Sequence, residues 1–193
     1  MKTIRKNVYM GKLRLYAIAF LIIMLYGCTR SDRETMREVE SFYNSLITIS
    51  TSQMQRFEGC QDSLPKNNAG RYRMIVYTDS TECSPCALKH LYSWEPILDS
   101  LFAYPLFSDV FFIFSPSNID YSKVSVELRN TSFKYPVYLD SCNAFSKDNR
   151  NIPTNRMMHT FLIDEDGHVV LVGNPLTNEK IRALYFDVLN GEK

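Results

Sequence analysis

The chain has 193 residues, 45% of them hydrophobic and 22% charged, with 7 Gly and 8 Pro, a composition that excludes collagen-like, low-complexity and disordered chains. At this length one domain of ordinary size with an N-terminal appendage is expected, because a single core serves about 150 to 200 residues. The formal charge of +1 hides an asymmetry: residues 1–27 carry five of the 22 basic residues and none of the 21 acidic ones, leaving −4 for the remainder. A body without a basic stripe offers no footprint for nucleic acid, which is bound by neutralising phosphates.

Lys2, Arg5, Lys6, Lys12 and Arg14 precede an unbroken apolar run from Leu15 to Tyr26, the charged-then-apolar order of an export signal. Twelve residues at 1.5 Å rise cover about 18 Å against about 30 Å of hydrocarbon, too short for a stable transmembrane helix. The ending Leu25-Tyr26-Gly27-Cys28 resembles a bacterial lipobox. That resemblance implies cleavage before Cys28, a lipid on the Cys28 sulfur and a polar tether from Thr29 to Glu34. Residues 1–27 are thus expected to be a lipoprotein signal peptide, 28–70 a tether, helix and loop, and 71–193 the folded domain. The expected location is the cell envelope, lipid-anchored and facing the periplasm or cell surface. An uncleaved anchor or plain secretion would equally place residues 29–193 outside the cytoplasm.

Ser31 and Glu34 have capping-box spacing, and Met36, Val39, Tyr43, Leu46 and Ile47 follow at helical intervals, which predicts a helix over about 33–57. Residues 59–70 are rich in turn formers and predict a loop. Arg71 to Thr78 has the β-branched and aromatic content of a strand; from Ser84 to about Tyr104 the spacing is helical, with Pro96 set to interrupt it. Val110 to Phe114 is apolar on both faces, as in a buried parallel strand; 118–130 is helical, and Tyr135 to Leu139 is a short strand. Asp164-Glu-Asp-Gly167 joins His159–Ile163 to His168–Val172 as a hairpin, and Asn178 to Leu189 is a last helix with Ile181, Leu184, Tyr185 and Val188 on one face. The order is that of an α/β protein with a mixed sheet.

Cys83-Ser84-Pro85-Cys86 lies at the strand-to-helix turn. A sulfur at a helix N-terminus is stabilised as thiolate by unpaired amides, which makes Cys83 the nucleophile. Cys86, one turn on, is within bonding reach once the turn is helical, which makes it the resolving thiol. Pro85 suits a first helical turn because its missing amide costs nothing there. Glu82 opposes the thiolate by its charge.

The strand Met74 to Thr78 leading into Cys83-Ser-Pro-Cys86, with Phe161-Leu-Ile-Asp-Glu-Asp-Gly-His-Val169 downstream, resembles the thioredoxin fold. More narrowly it is similar to the membrane-tethered thioredoxin-like lipoproteins of Bacteroides-type bacteria and to the cytochrome-maturation thioredoxins. The resemblance covers about residues 71–190. It implies a central mixed β-sheet flanked by helices, an extra N-terminal helix and an insertion before the C-terminal hairpin. It also implies a thiol-disulfide oxidoreductase that acts on exported thiol or disulfide proteins, draws electrons from a membrane donor and needs no cofactor beyond a redox-active Cys83–Cys86 disulfide. The family's cis-proline, which binds the substrate backbone, falls at Met158; a cis bond before a non-proline residue costs about 2.5–4 kcal/mol, so a trans bond and a different ledge are expected. Met158 and His159 are the candidate substrate contacts, with His159 either approaching the Cys83 sulfur or satisfied within the sheet. Two other readings stay open: a binding module without efficient turnover, and a Cu(I) chaperone using Cys83, Cys86 and His159, while no dedicated metal site is expected. Cys60 and Cys142 either pair with each other or remain thiols. His90, Trp94 and His168 read as ordinary structural residues, and Asp164, Asp166 and Gly167 as turn chemistry.

Overall fold

The computed structural model describes residues 33–57, 70–82, 84–117 and 121–191. The expected signal, Cys28, the tether up to residue 32, Cys60 and Cys83 lie outside them. Among the described residues no helix is long and apolar enough to cross a membrane. The chain divides into two compact units, Met1–Glu40 and Ser41–Lys193.

In the first unit residues 33–40 are helical, part of a helix α1 that ends at residue 42 rather than 57. The stop is a backbone event: Asn44 adopts a left-handed φ of 63°, tolerated by asparagine better than by most side chains. The periodicity also picks the packing face only in part: Ile47 is buried as expected, but Phe42 is missed. Phe42 is 1% exposed and meets Phe161 edge-on at 5.0 Å, whereas Tyr43 and Leu46 are exposed. From there the chain pairs with the distant hairpin: Asn44 N–H donates to the Val169 carbonyl, Val169 N–H to Ser45 and Ile47 N–H to Gly167. The second unit therefore begins well before Arg71.

Six strands form one sheet in the order β1-β4-β3-β2-β5-β6, namely β1 (Gln55–Phe57), β2 (Tyr72–Thr78), β3 (Phe107–Phe114), β4 (Val137–Leu139), β5 (Thr160–Ile163) and β6 (Val169–Val172). β2, β3 and β4 are parallel, while β1, β5 and β6 each run antiparallel to their neighbours. Between β2 and β3 lie α2 (Ser84–Lys89), a 3-10 turn (Leu91–Trp94) and α3 (Glu95–Leu101). The single helix predicted over 84–104 is thus broken, with Pro96 in the first turn of α3, where its ring and missing amide are harmless. α4 (Tyr121–Arg129) leads into β4; α5 (Ala144–Asp148) follows it, and α6 (Glu179–Asn190) closes the chain. A β-α-β unit (β2, α2/α3, β3) and a β-β-α unit (β5, β6, α6) sharing one mixed sheet, with α4 and β4 inserted between them, is the thioredoxin-like arrangement the sequence motif implies.

The pleat divides the core by parity. Met74 and Val76 of β2 join Phe112, Phe114, Leu98, Leu101, Tyr185 and Leu189 on one face; Ile75 and Tyr77 join Phe161, Ile163, Phe42 and Phe145 on the other. Burying each such side chain contributes about 1.5–3 kcal/mol, and covering both faces leaves only the strand ends for chemistry. On α6 the buried residues are Tyr185 and Leu189, with Leu184 exposed, so its packing stripe is rotated from the predicted one. α5 starts where the buried Asp140 carboxylate accepts the Ala144 and Phe145 N–H groups at 2.9 Å.

Candidate functional site

The C-terminal end of β2 carries the site. After Thr78 the chain turns at Asp79, whose Oδ1 accepts the Thr81 N–H at 2.8 Å and the Thr81 hydroxyl at 2.6 Å, while the Glu82 N–H donates to the Asp79 carbonyl. An aspartate bonding to the amide two residues on mimics a backbone turn and fixes it. This turn delivers the chain to Cys83, and Ser84, Pro85 and Cys86 form the first turn of α2. Cys86 is exposed and disulfide-bonded. Cys142 is an exposed free thiol among the described residues, and Cys60 lies outside them.

A second loop faces the first. Asn155 caps the 3-10 turn Arg156–Met158 by accepting the Met157 N–H. Arg156 donates through Nη2 to the Thr81 carbonyl at 3.0 Å, and the Tyr77 N–H donates to the His159 carbonyl at 2.9 Å. His159 is buried; its Nδ1 lies 3.2 Å from Glu82 Oε1 and its Nε2 2.9 Å from the Pro153 carbonyl. Both ring nitrogens are therefore engaged, by a carboxylate and a carbonyl. His159 thus pairs with Glu82, the residue that precedes Cys83 in the sequence.

Met158 does not present its side chain as expected. It is 2% exposed, and the exposed member of the pair is Met157 at 68%. No peptide bond is cis among the described residues, in line with the trans bond expected before Met158. A side chain that points inward contacts no substrate from solution, which leaves Met157 and the loop backbone as the accessible surface there.

Next to the two loops opens a cleft of about 480 Å³, lined among others by Val76, Phe112, Trp94, Glu82, Arg156 and His159. Trp94 is held edge-to-face against Phe112 at 5.7 Å and serves the core, as expected. His90 also lines the cleft, while Asp164 accepts the Asp166 and His168 N–H groups and shapes the hairpin turn. Asp79 and Arg156 were not singled out from the sequence. The Asp-Ser-Thr turn signal could have marked Asp79, whereas nothing local marks Arg156, whose partner lies 75 residues away.

No family model matches the chain, and no curated protein does. Among solved structures it is similar to an uncharacterized thioredoxin-like protein from Porphyromonas gingivalis, with TM-score 0.41 and 21% identity over 62% of this chain and 79% of that one. It is also similar to StoA from Bacillus subtilis, with TM-score 0.40 and 20% identity over 60% and 83%. A thioredoxin-like protein in the oxidized form gives TM-score 0.48 and 12% identity over 79% and 99%. At these scores the likeness says nothing of chemistry, and the fold rests on the strand order.

Proposed function

We propose that the chain is a thiol-disulfide oxidoreductase of exported proteins, using Cys83 and Cys86 and held to a membrane outside the cytoplasm by lipid on Cys28. One observation carries this reading: Cys86 sits exposed in the first turn of the helix that leaves the end of β2, with a second loop tied across the entry by Arg156 and His159. Rigid positioning matters because exchange needs the attacking sulfur in line with the disulfide it opens. In the reductive direction the Cys83 thiolate attacks a substrate disulfide, forming a mixed disulfide and releasing one substrate thiolate. Cys86, as thiolate, then attacks the Cys83 sulfur; the intramolecular disulfide forms, the second substrate thiolate leaves and takes up a proton, and two electrons have passed to substrate. A membrane donor is proposed to return the two electrons.

The test is trapping. With Cys86→Ser the mixed disulfide cannot resolve, so the full-length chain in detergent is expected to accumulate as a reductant-sensitive adduct with a disulfide-bearing model protein, and the additional change Cys83→Ser is expected to abolish it. Equal adduct in both variants would contradict the proposal.

A further inference from the structure

We propose that Asp79, Glu82 and His159 bind one divalent first-row transition-metal ion, of which zinc is representative, beside the cleft. A nitrogen of His159 and a carboxylate oxygen of each acid all lie within 4.8 Å of one another. The decisive contact lies outside this cluster. The Pro153 carbonyl, 2.9 Å from Nε2, can only accept, so Nε2 carries the hydrogen. In the neutral imidazole Nδ1 is then a lone pair, and it faces Glu82 Oε1 at 3.2 Å. What joins the two at that separation is a cation between them, a second ring proton or a metal ion. His159 is 4% exposed, so water offers no escape.

The Glu82–His159 edge suits an ion as well as a shared proton, with the Asp79 carboxylate inside the same 4.8 Å. With metal–nitrogen and metal–oxygen bonds near 2.0–2.1 Å, two ligands of a tetrahedral site are about 3.3 Å apart, against the 3.2 Å observed. The donor set of one imidazole and two carboxylates suits zinc and its neighbours rather than Cu(I), which separates this site from a copper site built on cysteines. The supporting contacts are also those of a metal site. A ligating histidine commonly donates its second nitrogen to a carbonyl, as His159 does to Pro153, and Asp79 is held in place by both Thr81 donors. Glu82 and His159 line the open cleft, which gives the ion an entry path. The Arg156 guanidinium, bonded to the Thr81 carbonyl of the same loop, opposes a further cation, so the ion is expected to exchange rather than be permanently held.

The site uses no cysteine and is tested without any. Full-length chain in detergent with all five cysteines changed to serine is titrated with Zn²⁺ by calorimetry, while the His159 ring nitrogens are followed by NMR. One equivalent of zinc is expected, with a shift at His159 Nδ1. Glu82→Gln is expected to weaken binding at least about tenfold, the lower end of what even supporting residues contribute. Asp79→Asn is a second ligand change, with circular dichroism to confirm folding; Glu82 is partly exposed, so its change is the milder one. Absence of uptake, uptake unaltered by Glu82→Gln, or a silent His159 would each overturn the proposal and leave the Glu82–His159 pair joined by a proton alone.

Discussion

Replacing Phe42 by alanine tests whether the segment after α1 is part of the domain core. Phe42 is 1% exposed and packs edge-to-face on Phe161 at 5.0 Å, itself fully buried in the second core face. A buried Phe→Ala change costs about 3–5 kcal/mol, the sum of lost transfer energy and the cavity left behind, a large share of the roughly 5–15 kcal/mol that stabilises a domain. Tyr43→Ala, one residue on and exposed, should stay within about 0.5 kcal/mol. In urea titrations of the chain from Thr29, with a slope of about 2 kcal/mol/M, the Phe42 variant should lose about 2 M in midpoint while the Tyr43 variant stays put. Comparable losses in the two variants would mean that Tyr43 faces inward, as the helical periodicity has it, and that Phe42 does not pack on Phe161.

Three further outcomes follow from named contacts. Tyr185 is fully buried, its hydroxyl on the Gly173 carbonyl, and burial pushes its pKa far above the ordinary 10.0; a group raised on folding stabilises below its unfolded pKa and loses that stability as pH rises above it. Stability should therefore fall by about 1.4 kcal/mol per pH unit above pH 10 from this group, and Tyr185→Phe should flatten the slope in thermal melts between pH 9 and 11. Asp99 is held below the usual 3.8 by the Lys134 and Tyr135 hydrogen bonds, so its contribution is complete above that value and lost as pH falls below it. Because the ion pair is half exposed, Asp99→Asn should cost less than about 1 kcal/mol at pH 7 and progressively less as pH falls below 3.8, and a constant cost across that range would refute the assignment. Gly167 has φ of +92° and a Cβ there would lie 2.9 Å from the Ile47 carbonyl oxygen, so Gly167→Ala should destabilise by roughly 1–3 kcal/mol in the same urea assay; no change would mean residues 44–47 do not seat on the hairpin.

What could be read from the sequence was local. β2, β3 and the β5–β6 hairpin carry β-branched runs and an Asp-Gly turn, and Pro96 marks its own break. β1 could not be read, because three residues of which only Phe57 is buried make no alternating pattern, and α5 is started by an Asp140 carboxylate rather than by an apolar stripe. α1 was overextended because helical spacing continues past Asn44, whose φ ends the helix without any change in hydrophobicity. The Cys83–Cys86 motif is contiguous and was visible at once. The contacts next to it in space are not: Glu82 meets His159 across 77 residues, a pairing made by the β2–β5 register. The inward turn of Met158 and outward turn of Met157 likewise depend on the 3-10 geometry that Asn155 caps.

The most direct test of the central claim is the reduction potential of the Cys83–Cys86 pair, measured by glutathione titration of the chain from Thr29 beside its Cys83→Ser variant. A reversible two-electron transition that the substitution abolishes is predicted, and a potential near that of thioredoxin, about −270 mV, would set the direction as reduction. A pair that never closes, or a transition that persists in the variant, would contradict the account.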